Sequence, residues 1–499
     1  MRLYNTLSKK VEEFKSIQET TGSVADENPK QVKMYACGPT VYDYTHIGHL
    51  RKYVMDDVLV RVLRHAGYDV KHVQNITDVG HLVSDGDEGE DKMEKGARQY
   101  GQTAWEIAKK FEDYFFYSMD LMGILRPTLS CRASEHIQSQ LEMVLTLGKK
   151  GFTYVIENEG VYFDTSKLET YGELIGHDPR RTLRASRIGE VTGKKNPSDF
   201  ALWKFEKAGE KRQMVWPSPW HQRSFPGWHI ECSAMSIEHL GPQIDIHTGG
   251  VDHIAVHHTN EIAQSESYTG KKPFAKFWVH HNFLLVDGQK MSKSLNNFYT
   301  IDDILQKGFT PAALRLLFLS SHYRSEQNFT FQSLTASQNA FYKLLQAYLT
   351  IKKKRQLELA HPASIAPSTT QADQEAQKLL QQFFAFVEND LNTPEALSVV
   401  WQVLKSQLSN TQKYRLLLEF DRILGLGLIA MSEADLPISD QKLVAVNTLP
   451  PDLQKLFKQR ETARKEKDFT KADEIRTKFA RAGYQLIDQT DRVLIKHQA

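Results

Sequence analysis

A chain of 499 residues is too long for one hydrophobic core and predicts roughly two to four domains. Its composition, 40% hydrophobic and 25% charged, is that of an ordinary globular protein, and no window nears ~18 uninterrupted apolar residues, so a membrane-spanning helix is excluded. A net charge of +2 excludes a global field as the means of recruiting nucleic acid, although a local basic stripe is enough to hold phosphate. Such stripes occur at 177–195, 351–356 and 458–469, and each taken singly reads as a solvated surface. The opening MRLYNTLSKKVEEF has no apolar core for a signal peptide. Cys37, Cys131 and Cys232 are too few and too widely spaced for a disulfide framework, so reduced thiols in a cytoplasmic protein are expected.

In chain order, residues 33–37 (KMYAC) predict a short buried strand stopped by Gly38-Pro39. From about His46 the period becomes helical, with Leu50, Val54, Val58 and Val62 at four-residue steps, and Gly67 ends that helix. The next strand is DVKHVQNI (69–76), which makes a β-α-β unit with parallel strands. Cys37 and Thr77 stand at carboxyl ends of these strands, where open parallel sheets gather ligands and where the two could face each other across a pocket. No dinucleotide glycine fingerprint is present, which argues against an NAD enzyme. Residues 78–96 read as an acidic surface loop, and helical patterns continue to about 150. Residues 151–225 read as an insertion of strands, turns and basic residues. A second α/β portion holds the strand in GPQIDIHTGG (241–250), a helix from near Val251 and the strand FWVHHNFLLV. After 300 the chain is almost all helical, with breaks at 361–373 and 433–441, and it ends in a charged helix pair with an extended end.

Three constellations carry chemistry. His46-Ile47-Gly48-His49 opens a helix just after a strand, where free amides and the helix dipole favour phosphate and Gly48 permits close approach. Lys290-Met291-Ser292-Lys293-Ser294 places two lysines on a loop suited to clamp a polyphosphate. Each motif alone is weak. His257 and Glu261 are spaced i, i+4 and can serve one ion, and Cys37 with Cys232 would complete a zinc-like S,S,N,O set. Spacing alone leaves buried inert thiols as the alternative.

HxGH near the start and KMSKS roughly midway are together the signatures of class I aminoacyl-tRNA synthetases. The ordered blocks YACGPTVYDYTHIGH, NITD, DFALWK, PGWHIECSAMS, HHxNEIAQ, KMSKS, LSSHYRS, LNTPEAL and KDFTKADEIR resemble cysteinyl-tRNA synthetases from Tyr4 to about Asp488. The resemblance implies an α/β fold with a Rossmann-like parallel-sheet catalytic domain in two halves (1–150 and 226–290) split by a connective insertion (151–225). A KMSKS and stem-contact region (291–330), a helical-bundle anticodon-stem domain (331–435) and a small C-terminal α/β anticodon-binding module (436–499) then follow. It also implies zinc, one per chain, on Cys37, Cys232, His257 and Glu261, and cysteine contacts from Cys37, Gly38, Thr77 and Trp228. ATP contacts are implied at Gly38, Thr40, His46, Gly48, His49, Gly250, Asp252, Lys290 and Lys293. Catalytic roles fall to His46, His49, Lys290 and Lys293, with Mg²⁺ accompanying ATP and tRNA(Cys) as the macromolecular partner. A monomer is expected.

A zinc there has a physical rationale. An apolar pocket separates cysteine from its near-isostere serine by only about 1–3 kcal/mol, whereas zinc prefers a soft thiolate. The substrate sulfur would add as a fifth ligand or loosen Glu261, and both remain open. His258 is a group supporting the ligands or plain packing, Asp252 holds ribose or caps a helix, and Cys131 is a packed or surface thiol. Asp491-Arg492-Val493-Leu494 stands where the family carries Gly-Thr-x-Trp, and loop 79–92 and Ala255-Val256 also depart from its usual form. Two other readings are a related ligase that couples activated cysteine to an amino-sugar amine, and a catalytically silent tRNA- or nucleotide-binding relative. About 170 residues of tRNA-reading sequence argue against the first, and the intact motifs against the second.

Overall fold

In the computed structural model of the chain, every residue is described except 22–29, 81–90, 177–191, 293–294, 296, 361–369, 438–443, 445, 467, 489–492 and 498–499. Five strands form one parallel sheet: β1 (Gln31–Ala36), β2 (Asp69–Ile76), β3 (Leu129–Arg132), β4 (Ile244–Gly250) and β5 (Ala275–His281). Their spatial order is β5-β4-β1-β2-β3, so the winding reverses between β1 and β4. That reversal opens a crevice at the carboxyl ends of the strands, the usual ligand position in such sheets. β2 and β4 are buried almost continuously, as strands covered on both faces must be.

Helix α1 (Ile47–His65) joins β1 to β2 and buries Leu50, Val54, Val58, Leu59, Val62 and Leu63 completely. It also buries three charged residues, each paired. Arg51 donates to the carbonyls of Asn282, Phe283, His322 and Ser325. Asp56 meets Lys52 and His281, and Asp57 meets Arg61 and Arg315. Single removal of such partners is expensive, since it strands a buried charge. Helices α2 (Trp228–Leu240) and α3 (His257–Thr269) flank β4 in sequence. The α3 sequence HHTNEIAQSES is polar yet buried from His257 to Ser267, which demands partners for those groups.

Four expectations are corrected. β3 lies inside the stretch read as helical up to 150, because LSCR is only four residues long between stronger helical patterns. FWVHHNFLLV is two strands, β5 and Leu284–Val286, because the Arg51 guanidinium takes the carbonyls of Asn282 and Phe283 between them. The loop 78–96 already turns helical at Lys92, where Asp91 caps the helix Lys92–Tyr100; residues 81–90 lie outside the described part. The helix expected near Val251 begins as a single tight turn, Val251–His253, and α3 starts at His257.

The insertion is an antiparallel sheet of Thr153–Ile156, Gly160–Phe163, Phe200–Phe205 and Ser224–Pro226 in consecutive order. Its last strand leads through Gly227 into α2. A β-carbon at Gly227 would lie 2.2 Å from the Ala201 carbonyl oxygen, so this crossing admits only glycine. Met1–Asn339 and Ala366–Gly427 form one compact unit, and Ala340–Ile365 with Leu428–Ala499 form another. The second unit packs Leu453, Ile475, Phe479, Leu486 and Ile495 from the helices Pro451–Lys465 and Phe469–Arg481 and the hairpin Tyr484–Asp488/Val493–His497. Part of its basic stripe is internal structure, since Arg460, Arg464 and Arg476 converge on Asp488.

His72 on β2 gives the sheet a titration signature. Burial, opposed by the nearby Asp56 carboxylate, lowers its imidazole to about 4. The unfolded chain takes up that proton near pH 6.5, so stability falls as pH drops from about 6.5 to about 4, by up to about 3 kcal/mol. His72→Leu is expected to flatten this acid limb. Urea midpoints for both proteins at pH 7 and pH 4.5 test it, and parallel pH profiles would contradict it.

Candidate active site and metal centre

The crevice over β1 and β4 gathers donors from four elements. Cys37 follows β1 and donates its amide to the Thr248 carbonyl of β4 (3.0 Å). Cys232 comes from α2, and His257 and Glu261 from one face of α3. One ligand atom from each of Cys37, Cys232, His257 and Glu261 lies within 4.8 Å of all the others, and all four side chains are buried. A second set with the same property, Cys37, His247, His258 and Glu261, shares two members. Cys37 Sγ is 3.2 Å from His258 Nε2 and 3.9 Å from Glu261 Oε1. Glu261 Oε1 lies 2.9 Å from His257 Nε2, while its Oε2 lies 2.9 Å from His247 Nε2.

Supporting contacts brace members of both sets. His257 turns Nδ1 to His229 Nδ1 at 2.9 Å, and Glu261 gives its outer oxygen to His247. Both thus aim one atom inward while a neighbour fixes the other, the usual support for a metal ligand. His258 is braced likewise, through Nδ1 to His280 Nε2 (2.7 Å) and from there to Thr6 Oγ1 (2.8 Å).

The protonation pattern fits a cation. Burial pushes the Cys37 thiol up, but contacts with Cys232, His258, His253 and His257 outweigh it and hold Cys37 well below the ordinary thiol range. Contact with Cys37, then burial, pushes Cys232 well above that range. His257 is raised to about 10 against its burial, chiefly by the Glu261 carboxylate. Two soft sulfurs, an imidazole and a carboxylate are a zinc-type donor set, and a divalent ion there would displace the His257 proton.

Trp228, partly exposed at the start of α2, lies 4.7 Å ring to ring from His257. Thr77 at the end of β2 is tied to the turn after Cys37, donating its amide to Pro39 and accepting from Val41 (3.0 Å each). Its hydroxyl accepts from Asn75 (3.0 Å) and donates to Glu231 Oε2 (3.4 Å); burial pushes Glu231 well above the usual carboxyl range. Gly38 donates to Asn75 Oδ1 (2.8 Å), and a β-carbon there would sit 1.6 Å from the Asn75 carbonyl oxygen. Thr40 pairs with Thr77 in an isolated parallel bridge.

At the start of α1 the helix-end amides are not free. His46 caps the helix, its Nδ1 accepting from the amides of Gly48 (3.1 Å) and His49 (3.3 Å), while the Ile47 amide donates to Tyr299. The expectation of exposed amides for phosphate is therefore corrected: the ring occupies them. Because Nδ1 accepts, the His46 proton resides on Nε2, the remaining donor. The His46 and His49 rings stack at 3.6 Å. Burial lowers His46 well below the histidine range, while His49 beside it is exposed to solvent. The second motif adjoins the first, since His46 bridges Thr300, packs on Phe298, and has Met291 Cε 3.3 Å from where a Gly48 β-carbon would lie. Lys290 is exposed on the strand Gln289–Lys290, and Lys293 lies outside the described residues. Asp252 is exposed and sits inside the turn Val251–His253 rather than at its cap; its Oδ1 lies 2.2 Å from the position of a Gly250 β-carbon.

Cys131 is buried, 3.8 Å from the Gln74 carbonyl, and burial raises it to about 12, so it is packing. Sequence reasoning missed His229, His247, His253 and His280 around the centre. The available signal was density, since six of the chain's 19 histidines fall between 247 and 281.

A parallel sheet with this winding, an HxGH helix start and an adjoining KMSKS segment define the catalytic domain of a class I aminoacyl-tRNA synthetase. Residues 23–339 match the family of tRNA synthetases class I (C) catalytic domains, and residues 447–493 match the cysteinyl-tRNA ligase anticodon binding domain. The cysteine–tRNA ligase 1 of Burkholderia lata is 43% identical, covering 98% of this chain and 95% of the relative; the cysteine–tRNA ligase of Zymomonas mobilis is 40% identical, covering 97% and 95%. The chain belongs to the cysteine–tRNA ligase family. A solved methionyl-tRNA synthetase of Mycobacterium tuberculosis with bound methionyl-adenylate shares the fold (TM-score 0.56, 15% identity, 80% of this chain and 91% of that one). Among the described residues no helix is long and apolar enough to cross a membrane.

Proposed function

We propose that this chain activates L-cysteine with ATP to cysteinyl-adenylate and transfers the cysteinyl group to the 3′ end of tRNA(Cys). The observation that carries the reading is the convergence of Cys37, Cys232, His257 and Glu261 beneath Trp228, at the same sheet edge as His46 and His49. Zinc held by those four residues would supply a soft acceptor for the substrate thiol and so select cysteine over serine. His229 and His247 orient two of the ligands. Thr77 and Trp228 border the amino-acid pocket. The carboxylate itself attacks the α-phosphorus, so no side-chain nucleophile is needed. His46 donates through Nε2 to a phosphate oxygen, and Lys290 and Lys293 neutralise the departing pyrophosphate with its Mg²⁺. Gly38, Thr40, Gly48, Gly250 and Asp252 complete the nucleotide contacts, with Asp252 on the ribose. Region 331–435 reads the anticodon stem and 436–499 the anticodon; Asp491 and Arg492 fall outside the described residues. The protein acts as a cytoplasmic monomer.

Cysteine-dependent ATP–pyrophosphate exchange and cysteine charging of tRNA test the reading. Exchange without charging would favour coupling to another amine, and neither activity would favour a binding protein. Lys293→Ala is expected to slow exchange by about 10²-fold or more with a smaller change in cysteine affinity, as loss of transition-state stabilisation requires. Equal exchange rates in mutant and wild type would contradict the role of Lys293.

A further inference from the structure

The end of α2 remote from Trp228 carries a second donor cluster, outside the site described above. Glu238 and His239 in its last turn meet His136 from the turn Ala133–His136, which follows β3. Ligand atoms of all three lie within 4.8 Å of one another. His136 Nε2 is 2.8 Å from His239 Nε2 and 3.9 Å from Glu238 Oε1.

His136 Nδ1 lies 2.7 Å from the Arg132 carbonyl oxygen, which can only accept. Nδ1 therefore carries the proton, and Nε2 turns its lone pair towards His239 and Glu238. That is the tautomer and the backbone brace that metal-binding histidines characteristically have.

The surroundings favour a cation. An open cleft of about 410 Å³ adjoins the cluster, lined by Glu135, Glu142 and Glu238 as well as His136. Of the nearby cations, Arg132 is engaged by Glu112 and Glu135, and Lys71 Nζ is bound to the His239 carbonyl (2.7 Å). Two imidazole nitrogens at ~2.0–2.1 Å from a tetrahedral ion stand about 3.3 Å apart, so the rings need to separate by only about 0.5 Å.

We propose that His136, His239 and Glu238 form a second divalent-metal site of the nitrogen/oxygen class, suited to zinc, with its remaining position open to water in the cleft. It holds no sulfur, which distinguishes it from the buried centre. An ion there clips the carboxyl end of α2 to the turn after β3, and so steadies the helix that delivers Trp228 and Cys232.

The test uses the full-length protein with its resident metal, dialysed against Zn²⁺ and analysed for metal content. Wild type is expected to hold one zinc equivalent more than the double variant His136→Ala/His239→Ala. The double variant should keep cysteine-dependent exchange and, after Co²⁺ replacement, the thiolate-to-cobalt absorption of the buried centre. Added zinc should raise the Tm of wild type but not of the double variant. Glu238→Gln, an exposed change that leaves packing intact, should weaken the extra equivalent by about tenfold or more. Equal metal content in wild type and double variant would overturn the proposal, as would an unchanged affinity in Glu238→Gln. Because the readout is a difference of one equivalent, it stands apart from whether the buried centre selects cysteine.

Discussion

Cys232→Ser is expected to cost the buried centre its metal, with cysteine-dependent pyrophosphate exchange falling by more than about 10²-fold, whereas His247→Asn keeps the metal and loses about 10- to 100-fold at most. Both sets of donors in the crevice contain Cys37 and Glu261, so replacing either of those two cannot tell the sets apart. Cys232 belongs to one set and His247 to the other. His247 already holds Glu261 Oε2 at 2.9 Å, leaving Oε1 for His257 and Cys37. A residue so placed fixes the direction of a ligand and serves as a positioning residue. Serine at 232 offers a hard hydroxyl where a soft sulfur stood, and a thiolate-seeking ion loses most from that exchange. Metal analysis of both variants, alongside exchange assays with cysteine and serine, decides the assignment. Metal retained in Cys232→Ser and lost in His247→Asn would move the ion to the set containing His258.

How far the sequence led can be seen residue by residue. β1, β2, β4 and α1 were legible because their apolar periods are strong and glycines punctuate them; Gly67 and the Gly38-Pro39 turn are examples. β3 was not, since four residues with one fully buried side chain leave no period to read. The break between β5 and Leu284–Val286 depends on Arg51, more than 200 residues away in sequence, and pattern reading has no access to such a partner. The same holds for the centre. His257 and Glu261 share a helix face by spacing, but their convergence with Cys37 and Cys232 follows from strand order; donor chemistry offered it only beside inert thiols, and family resemblance favoured it. The supporting histidines went unread because each taken alone resembles packing. The capping role of His46 was also hidden, because histidine is not among the residues that usually signal a helix start.

The proposed function gives position 46 a second duty beside its capping role, and two substitutions separate the duties. His46→Ala is expected to lose about 1 kcal/mol of stability and about 10²- to 10³-fold in the rate of adenylate formation. The first loss comes from the amides of Gly48 and His49, which would surrender their acceptor at 3.1 and 3.3 Å. The second comes from the Nε2 donor. His46→Asn restores an acceptor of the kind most favoured at a helix start, so it should recover stability while remaining as slow as the alanine variant. The pH dependence carries a sign as well. Burial, then the neighbouring His49, holds His46 well below the ordinary histidine range, so the unfolded chain protonates first, near pH 6.5. Stability contributed by the cap is therefore full above that pH and declines as pH falls below it, because a proton on Nδ1 ends both amide bonds. The asparagine variant has no such proton to gain, and its stability should decline less with acidity. Thermal unfolding of the three proteins between pH 7.5 and 5, paired with single-turnover adenylate formation, measures both effects. Wild-type rates in His46→Asn would reduce the first histidine of HxGH to a helix cap.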